Sequence, residues 1–270
     1  MTAALETAGI YRRLIAAHLR SQMQHKVSFV LRTLGAFAAN LFDFAGIAVL
    51  FGRIPQLSGW SLPEVALLYG ISSLCFATAE LFGGALDNFD MVVVQGTFDR
   101  VLLRPLDALF QVLTEEFALR RFGRMAQGGL VLSIALTQLP ISWTAGKVVF
   151  FAVSLVSGTA MFFGILILGA AYCFWIVQGK EATHVVTYGG DFMSNYPMDI
   201  YGRWLRRFAT FVLPIGFVSY YPSLYLLERS DPFGLPDWFR LMGPVAAFAV
   251  CLAAWCAWRG GVSQYQSTGS

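Results

Sequence analysis

The chain has 270 residues, of which 57% are hydrophobic and 13% are charged, and its formal net charge is +3. Soluble domains are about 45–50% apolar and about 25% charged, so this chain has too few polar groups to cover a water-facing surface. The composition and the mean hydropathy of +0.61 therefore exclude a soluble enzyme, a disordered chain and a disulfide-stapled secreted scaffold, and we expect an integral membrane protein.

Residues 8–25, which precede the first long apolar segment, combine apolar side chains at helical spacing with arginines between them. Ile10 recurs with Leu14, and Tyr11 recurs with Ile15. This pattern predicts an amphipathic helix that lies on the membrane surface. The absence of an uninterrupted apolar stretch argues against a signal peptide.

Six segments are read as membrane spans because a helix of about 17–25 apolar residues crosses the hydrocarbon core. They lie at about 31–52, 64–86, 122–139, 147–176, 207–227 and 241–258. The longer connections, at about 87–121 and 177–206, fall on one side, and short connections fall on the other. We expect one all-α polytopic domain over residues 1–270 with six transmembrane helices.

Lysine and arginine are distributed unevenly between the two sides of this topology. Fifteen fall on the side of the termini and the two longer connections, against four on the other side. The positive-inside rule then places both termini in the cytoplasm of a cell with this chain in its inner membrane. Tryptophans mark the outer boundary at Trp60, Trp143 and Trp238 and the inner boundary at Trp175, Trp204 and Trp258.

Motifs for catalysis and for cofactor or metal binding are missing from the sequence. The Gly-Lys pairs at 146–147 and 179–180 lack the remainder of a Walker A loop, the three histidines lack an H-E-x-x-H pattern, and the four cysteines form no C-x-x-C pair. No basic stripe on a soluble face suits nucleic acid. We therefore expect no catalytic, cofactor-binding or metal-binding residue in this chain and no nucleic-acid partner.

Three polar or small-residue features lie within the predicted spans. Asp43 follows Asn40 on the same helical face, and the pair either lines a substrate or ion pathway or hydrogen-bonds a neighbouring helix. Glu80 lies near the inner end of the second span and is placed to pair with the basic cluster there. Ala160 and Gly164 give a small-residue face for helix packing or for a dimer contact.

The connection after the second span contains a short amphipathic pattern. Gln95-Gly96 permits a turn, and an apolar stripe then runs between charged residues up to a proline that suits the first turn of the next helix. The candidate residues of this segment are Gln95, Gly96, Phe98, Asp99, Arg100, Leu102, Arg104 and Pro105. Such a helix either inserts into a groove on a partner or lies on the lipid headgroups.

Two stretches together resemble the type-2 ABC transporter permease family, in its six-span bacterial branch without a fused ATPase. The first runs from Val92 to Phe110 and contains L-L-R-P. The second runs from Tyr188 to Leu227 and contains P-I-G-F-V-S-Y-Y-P-S-L-Y-L-L. The resemblance covers essentially the whole chain in length and order of spans. One departure is Glu228, where the family often has glycine.

The resemblance implies the membrane subunit of an ATP-driven exporter. This subunit would form half of a substrate pathway together with a second copy or a sister permease, within the lipid bilayer. ATP and magnesium would bind separate ATP-binding subunits, and residues 95–105 would act as the cytoplasmic coupling helix that receives their motion. The chain itself would hydrolyse nothing.

The resemblance also implies a re-entrant outer segment after the fifth span, where Pro214 and Pro222 interrupt the helix. Phe217, Tyr220 and Tyr221 are then candidates for a gate, and the alternative is ordinary anchoring of aromatic rings at the membrane interface.

Two rival functions differ in class from an ABC exporter. An ion-coupled secondary transporter or channel would use Asp43, and a non-transporting assembly subunit would need no pathway. We find no inverted repeat of the kind that many secondary transporters contain.

Overall fold

The computed structural model describes residues 26–115, 121–176, 180–231 and 233–266, and within these ranges the regular structure is helical apart from one isolated bridge between Leu57 and Trp60. The amphipathic helix predicted over residues 8–25 lies outside the described residues. An all-α membrane protein is thus confirmed at the level of fold class.

The α-helices, numbered in chain order, begin with four that precede the 103–107 turn. They are α1 (Lys26–Phe51), α2 (Leu62–Gly83), α3 (Phe89–Val94) and α4 (Phe98–Leu102). The next four are α5 (Ala108–Glu115), α6 (Arg121–Gln138), α7 (Ala145–Tyr172) and α8 (Lys180–Ser194). The last three are α9 (Arg203–Arg207), α10 (Tyr220–Leu226) and α11 (Gly243–Gln264), and a π-helical turn extends α9 over Phe208–Val212.

Local sequence explains where the long helices begin. The carboxylate of Glu64 accepts hydrogen bonds from the backbone N–H and the hydroxyl of Ser61, which closes a capping box at the start of α2. The hydroxyl of Thr144 accepts a hydrogen bond from the backbone N–H of Lys147 at the start of α7. Both caps satisfy backbone donors that would otherwise be unpaired at a helix end.

Four helical segments of the described chain are long and apolar enough to cross a membrane: Lys26–Phe51, Leu62–Val94, Ala145–Tyr172 and Asp237–Gln264. They match the first, second, fourth and sixth predicted spans. The third predicted span forms the helix α6, but α6 does not meet the same criterion. Its sequence includes Arg121, Arg124 and Gln127, which lower its hydropathy.

The long helices pack in the order α1, α6, α2, α7 and α11. Small residues allow the closest contacts, since Gly70 of α2 lies against Leu132 of α6, and Gly164 of α7 lies against Val250 and Cys251 of α11. The predicted small-residue face of α7 therefore packs within the chain. α2 occupies the centre, where most of its side chains are buried.

The helix α8 corrects the prediction that residues 177–206 form a connection on one side of the bundle. The Thr183 hydroxyl donates a hydrogen bond to the Gly169 carbonyl near the end of α7. Beyond α8, the Trp60 indole N–H donates to the Asp199 carboxylate just before α2 begins, over 2.8 Å. Because α2 and α7 run in the same direction, α8 runs back along the length of both.

The end of the bundle that contains Trp60, Lys147 and Asp199 is called the Trp60 end below, and the opposite end, which contains Phe174 and Trp258, is called the Trp258 end. Arg206 forms an ion pair with Asp199, so α9 lies at the Trp60 end and not on the opposite side as predicted. Reassigning Arg203, Arg206 and Arg207 changes the count of basic residues from 15 against 4 to 12 against 7.

Residues 207–227, predicted as a single fifth span, form two helical arms with a bend of 77° between them. The break falls at Leu213-Pro214, since proline lacks the N–H that would continue the helix. The first arm runs from Arg203 to Val212 and includes Arg206, which pairs with Asp199 at the Trp60 end. The second arm ends at Leu226, whose carbonyl accepts a hydrogen bond from Lys147 Nζ. Both arms therefore contact the Trp60 end, and the bent segment of residues 203–226 is called the hairpin below.

Candidate functional site

The 95–105 segment is a short helix held between two turns. Gly96 has a φ of +64°, a left-handed conformation that glycine adopts without steric cost, and it separates α3 from α4. After α4, the buried Gln111 amide donates to the carbonyl of Val101 over 2.9 Å and to that of Leu106 over 3.0 Å. These bonds hold the second turn against α5, so the position of the segment relative to α5 is fixed at both turn carbonyls.

Two side chains of the segment, Phe98 and Val101, are buried in the bundle. Phe98 is fully buried, and its ring contacts those of Phe89, Phe174, Trp258 and Tyr265, with centroid separations of 5.0–6.3 Å. These five residues form the aromatic cluster. Because Phe174 directly follows the end of α7 and Trp258 belongs to α11, the cluster connects α4 to both of those helices.

A carboxylate of the segment faces the same cluster. The pKa of Tyr265 is raised above its ordinary value, chiefly because the phenol is partly removed from water and further because the Asp99 carboxylate lies near it. Tyr265 therefore stays neutral and protonated around neutral pH. It packs against Phe98 on one side and faces Asp99 on the other.

The opposite face of the segment is open. Leu103 is 84% exposed and Leu102 is 44% exposed. Gln95, Arg100, Arg104 and Pro105 are also exposed. Two apolar tips beside two guanidinium groups suit a protein partner with a groove that has an acidic rim. The segment thus has one face buried in the bundle, through Phe98 and Val101, and one exposed face.

A group of five charged residues inside the bundle is called here the charged cluster. Its members are Glu80, Asp87, Arg121, Arg124 and Asp191. Arg121 Nη2 lies 2.6 Å from Glu80 Oε1, and Arg124 Nη2 lies 2.6 Å from Asp191 Oδ2. The predicted pairing of Glu80 with basic residues is therefore present in the structure. The cluster connects α2, α6 and α8.

The role of Asp191 in this cluster was not predicted from the sequence. The sequence analysis overlooked Asp191 because it treated residues 177–206 as a connection. The amphipathic helical pattern of α8 is the sequence signal that could have revealed it. In the described ranges, no group of three or more His, Cys, Asp or Glu side chains is placed to hold a metal ion.

Asn40 and Asp43 lie on α1 beside α2. The Asn40 amide donates to the Ala36 carbonyl over 2.7 Å within α1, and the Tyr69 hydroxyl donates to the Asn40 carbonyl over 3.0 Å. Asp43 is exposed at the surface of the single chain. The contact to the neighbouring helix thus uses the backbone of Asn40, and a pathway role for either side chain stays a prediction.

The three gate candidates are brought together, but in the interior of the chain. Phe217, Tyr220 and Tyr221 are each at most 4% exposed. The ring centroids of Phe217 and Tyr221 lie 4.6 Å apart, and both rings pack on Phe239. They hold the second arm of the hairpin against the chain that leads into α11. A gate would require them to move, and that role stays a prediction.

Asp199 is the centre of a polar contact that the sequence analysis did not identify. Its carboxylate accepts hydrogen bonds from the Trp60 indole, from the Tyr220 hydroxyl over 3.0 Å and from Arg206 over 3.2 Å. The guanidinium of Arg229 lies over the Trp60 ring, 4.5 Å from its centroid. These contacts tie α2, the hairpin and the loop after it together at the Trp60 end.

Comparison with protein families agrees with this arrangement. The family described as "ABC-2 family transporter protein" matches residues 37–269, which include the 95–105 segment, the charged cluster and the hairpin. The chain belongs to the ABC-2 transporter family. It is accordingly a permease, a membrane component of a transporter with several membrane-spanning helices. No match to a curated protein or to a solved structure is found.

Proposed function

We propose that this permease is the membrane subunit of an ATP-driven exporter, that it forms half of the substrate pathway, and that it couples to separate ATP-binding subunits through residues 95–105. The observation that carries the proposal is the two-sidedness of this segment, with Phe98 buried in the aromatic cluster and Leu103 exposed. A second permease, either an identical copy or a sister subunit, would complete the pathway.

In this proposal the chain crosses the inner membrane six times, through α1, α2, α6, α7, α8 and α11. The fifth crossing is then α8, and the hairpin of residues 203–226 enters and leaves at the outer side. The low hydropathy of α6 and α8 has a physical reason, since Arg124 of α6 pairs with Asp191 of α8 inside the bundle. Intramembrane charges are tolerated when they pair with one another away from lipid.

This topology places the Trp258 end in the cytoplasm, together with the 95–105 segment. Both ends of the described chain lie at the Trp258 end, because α1 begins there and α11 ends there. ATP is then available on the side where the exposed arginines of the segment lie. The positive-inside rule supports the same orientation, with 12 basic residues against 7 after the reassignment of α9.

Mechanically, closure of the ATP-binding subunits would press on the exposed face of α4. Phe98 would pass that displacement to Phe174 and Trp258, which lie 5.2 Å apart by ring centroids. Because α7 and α11 are in close contact along their length, they would tilt as a pair. Such tilting is the rigid-body kind of change by which a pathway alternates between two sides.

The test is co-purification from the native host at natural expression levels. We expect an ATPase with a Walker A loop to accompany the permease. Arg104→Glu should reduce the recovered ATPase at least about tenfold, because one reversed contact at an interface typically costs over about 1.4 kcal/mol. Arg53→Glu is the matched control, since Arg53 is equally exposed but precedes α2 at the Trp60 end.

Recovery of the permease without any ATPase would overturn the proposal and leave an ion-coupled transporter or an assembly subunit. An equal decrease in recovered ATPase for Arg104→Glu and Arg53→Glu would show that the effect is not specific to the 95–105 segment. Normal membrane insertion of both variants, checked by protease accessibility, is required for either comparison.

A further inference from the structure

The charged cluster has more carboxylates than cations among its described members. Glu80, Asp87 and Asp191 face only Arg121 and Arg124. Arg124 pairs closely with Asp191, over 2.6 Å, and lies 3.9 Å from Glu80, so Arg121 is the close cationic partner of both remaining carboxylates. The group as a whole therefore has an excess of one negative charge if every member is ionised.

Glu80 and Asp87 share the same two donors. Arg121 Nη2 lies 2.6 Å from Glu80 Oε1 and 3.2 Å from Asp87 Oδ2. The Tyr188 hydroxyl lies 3.2 Å and 2.9 Å from these same two oxygens. Two carboxylates that share donors at this range repel each other when both are ionised, and one proton between them removes the repulsion.

Burial distinguishes the two members of the pair. Glu80 is fully buried, and its second oxygen, Oε2, has no hydrogen-bond partner among the described residues. Arg124 Nη1 lies 3.9 Å from that oxygen, beyond hydrogen-bond distance. The Asp87 side chain retains 11% of its exposure. A buried carboxylate oxygen without a partner costs much more free energy when the group is charged than when it is protonated.

We propose that the pair holds one proton and that Oε2 of Glu80 carries it, so that Glu80 is neutral beside Asp87 and Arg121. The groups that face this proton are Asp87 on the turn after α2, Arg121 and Arg124 on α6, and Tyr188 and Asp191 on α8. His184 of α8 lies behind Tyr188, at a ring separation of 5.2 Å.

The proton also has a structural consequence. Asp87 belongs to the Gly84–Asn88 turn that leads through α3 into the 95–105 segment. When Glu80 loses its proton, the two carboxylates repel each other and the turn loses part of its attachment to α6. The protonation of this pair thus affects how firmly the 95–105 segment is attached to the bundle. This inference rests on the contacts in the cluster and is independent of ATP-driven coupling.

Infrared spectroscopy of the purified full-length permease tests the protonation state directly. We expect a carboxylic acid C=O band at neutral pH that shifts when glutamate is labelled with ¹³C and stays in place when aspartate is labelled. Glu80→Gln should remove this band. Absence of a glutamate-dependent band in the wild-type protein overturns the proposal without the need for any variant.

Unfolding as a function of pH provides the second test. A proton that the folded state holds and the unfolded state has released makes the unfolding constant rise up to about tenfold per pH unit, between about pH 5 and the pH at which Glu80 ionises. Glu80→Gln fixes the neutral state, so we expect an unfolding constant close to that of the wild-type protein at about pH 5, loss of this slope, and therefore a lower unfolding constant than the wild-type protein at pH 7. Asp191→Asn is the contrasting variant, because it leaves Arg124 without its carboxylate.

If Glu80→Gln unfolds as readily as Asp191→Asn at pH 7, Glu80 is ionised and the proposal is wrong. If Glu80→Gln fails to insert, the isotope-edited spectrum of the wild-type protein still decides the question.

Discussion

The contact between α1 and α6 depends on one glycine, and replacing it is the sharpest test of the packing. In α1, Ile47 is buried, while most of the other side chains face outward. The helix is held against the bundle largely through α6, where Gly123 faces the backbone of α1. Gly123→Ala adds one methyl group at this point.

The size of the effect follows from the atoms that the methyl group would meet. A Cβ at Gly123 would overlap the carbonyl oxygen of Thr33 and would lie 2.9 Å from the backbone nitrogen of Phe37 and 3.1 Å from Cβ of Ala36. Backbone atoms cannot turn aside as a side chain does, so α1 must move away from α6. Overpacking of this kind costs about 1–3 kcal/mol, and we expect about 3 kcal/mol here.

Gly129 gives a matched control on the same helix. A Cβ at Gly129 would meet no atom within 4 Å. Gly129→Ala should therefore stabilise the protein by about 0.5–1 kcal/mol, because alanine loses less backbone entropy than glycine in a helix. The free energies of unfolding of the two variants should therefore change in opposite directions, and they should differ from each other by about 3–4 kcal/mol.

Equilibrium unfolding in mixed detergent micelles with rising SDS measures this difference. Hydrogen exchange adds a local readout, since amides near Thr33 should lose protection in Gly123→Ala while those in α2 retain it. Equal stability of the two variants would refute the close approach of α1 and α6.

Three further predictions concern other contacts. Arg124→Met and Asp191→Asn should each cost about 3–5 kcal/mol, but the double variant should cost about 2 kcal/mol less than their sum; additivity in a double-mutant cycle would contradict the ion pair. Phe98→Ala should destabilise the permease by about 3–5 kcal/mol in thermal unfolding because its ring is fully buried, and a loss below about 1 kcal/mol would be inconsistent with the aromatic cluster. The Lys147 ammonium lies 2.7 Å from the Glu228 carboxylate, and its hydrogen bond lowers the pKa of Glu228 below the ordinary 4.5; the resulting stabilisation is present above that ordinary pKa and is lost as the pH falls through the lowered pKa, so the decline in stability on acidification should be smaller in Glu228→Gln.

Much of the fold was predictable from local sequence. Four predicted spans coincide with apolar helices of the structure, because a run of apolar residues long enough to span a bilayer is a property of consecutive residues. The family was also identified before the structure, through the L-L-R-P segment and the proline-rich stretch that ends at Leu227. These motifs lie at fixed positions along the chain and need no tertiary information.

The path of residues 177–227 was not predictable in the same way. Hydropathy favoured the apolar residues 207–227 as the fifth span and left the polar helix α8 as a connection. The bond from Trp60 to Asp199 joins residues 139 positions apart, and no local pattern reveals such a pair. The break at Pro214 was visible in the sequence, and the family resemblance implied a re-entrant segment there, but the contacts of its two arms with Asp199 and Lys147 were not predictable.

The 95–105 segment was likewise predictable only in part from the sequence. The amphipathic pattern from Gln95 to Pro105 identified the segment, and the turn at Gly96 was expected. Local sequence could not show which apolar side chains enter the bundle, since Phe98 and Val101 are buried while the similarly apolar Leu102 and Leu103 are exposed. Phe98 is buried because Phe174, Trp258 and Tyr265 surround it from distant parts of the chain.

Sequence by itself determined that this protein lives in a membrane, which family it belongs to and which of its segments are apolar enough to cross. The tertiary structure alone decided how its charges are used. Glu80, Arg121, Arg124 and Asp191 are spread over more than a hundred residues, yet folding brings them into contact between three helices. The physical reason is that hydropathy sums the cost of exposing each residue to lipid, whereas burial of a charge depends on the partner that folding brings to it.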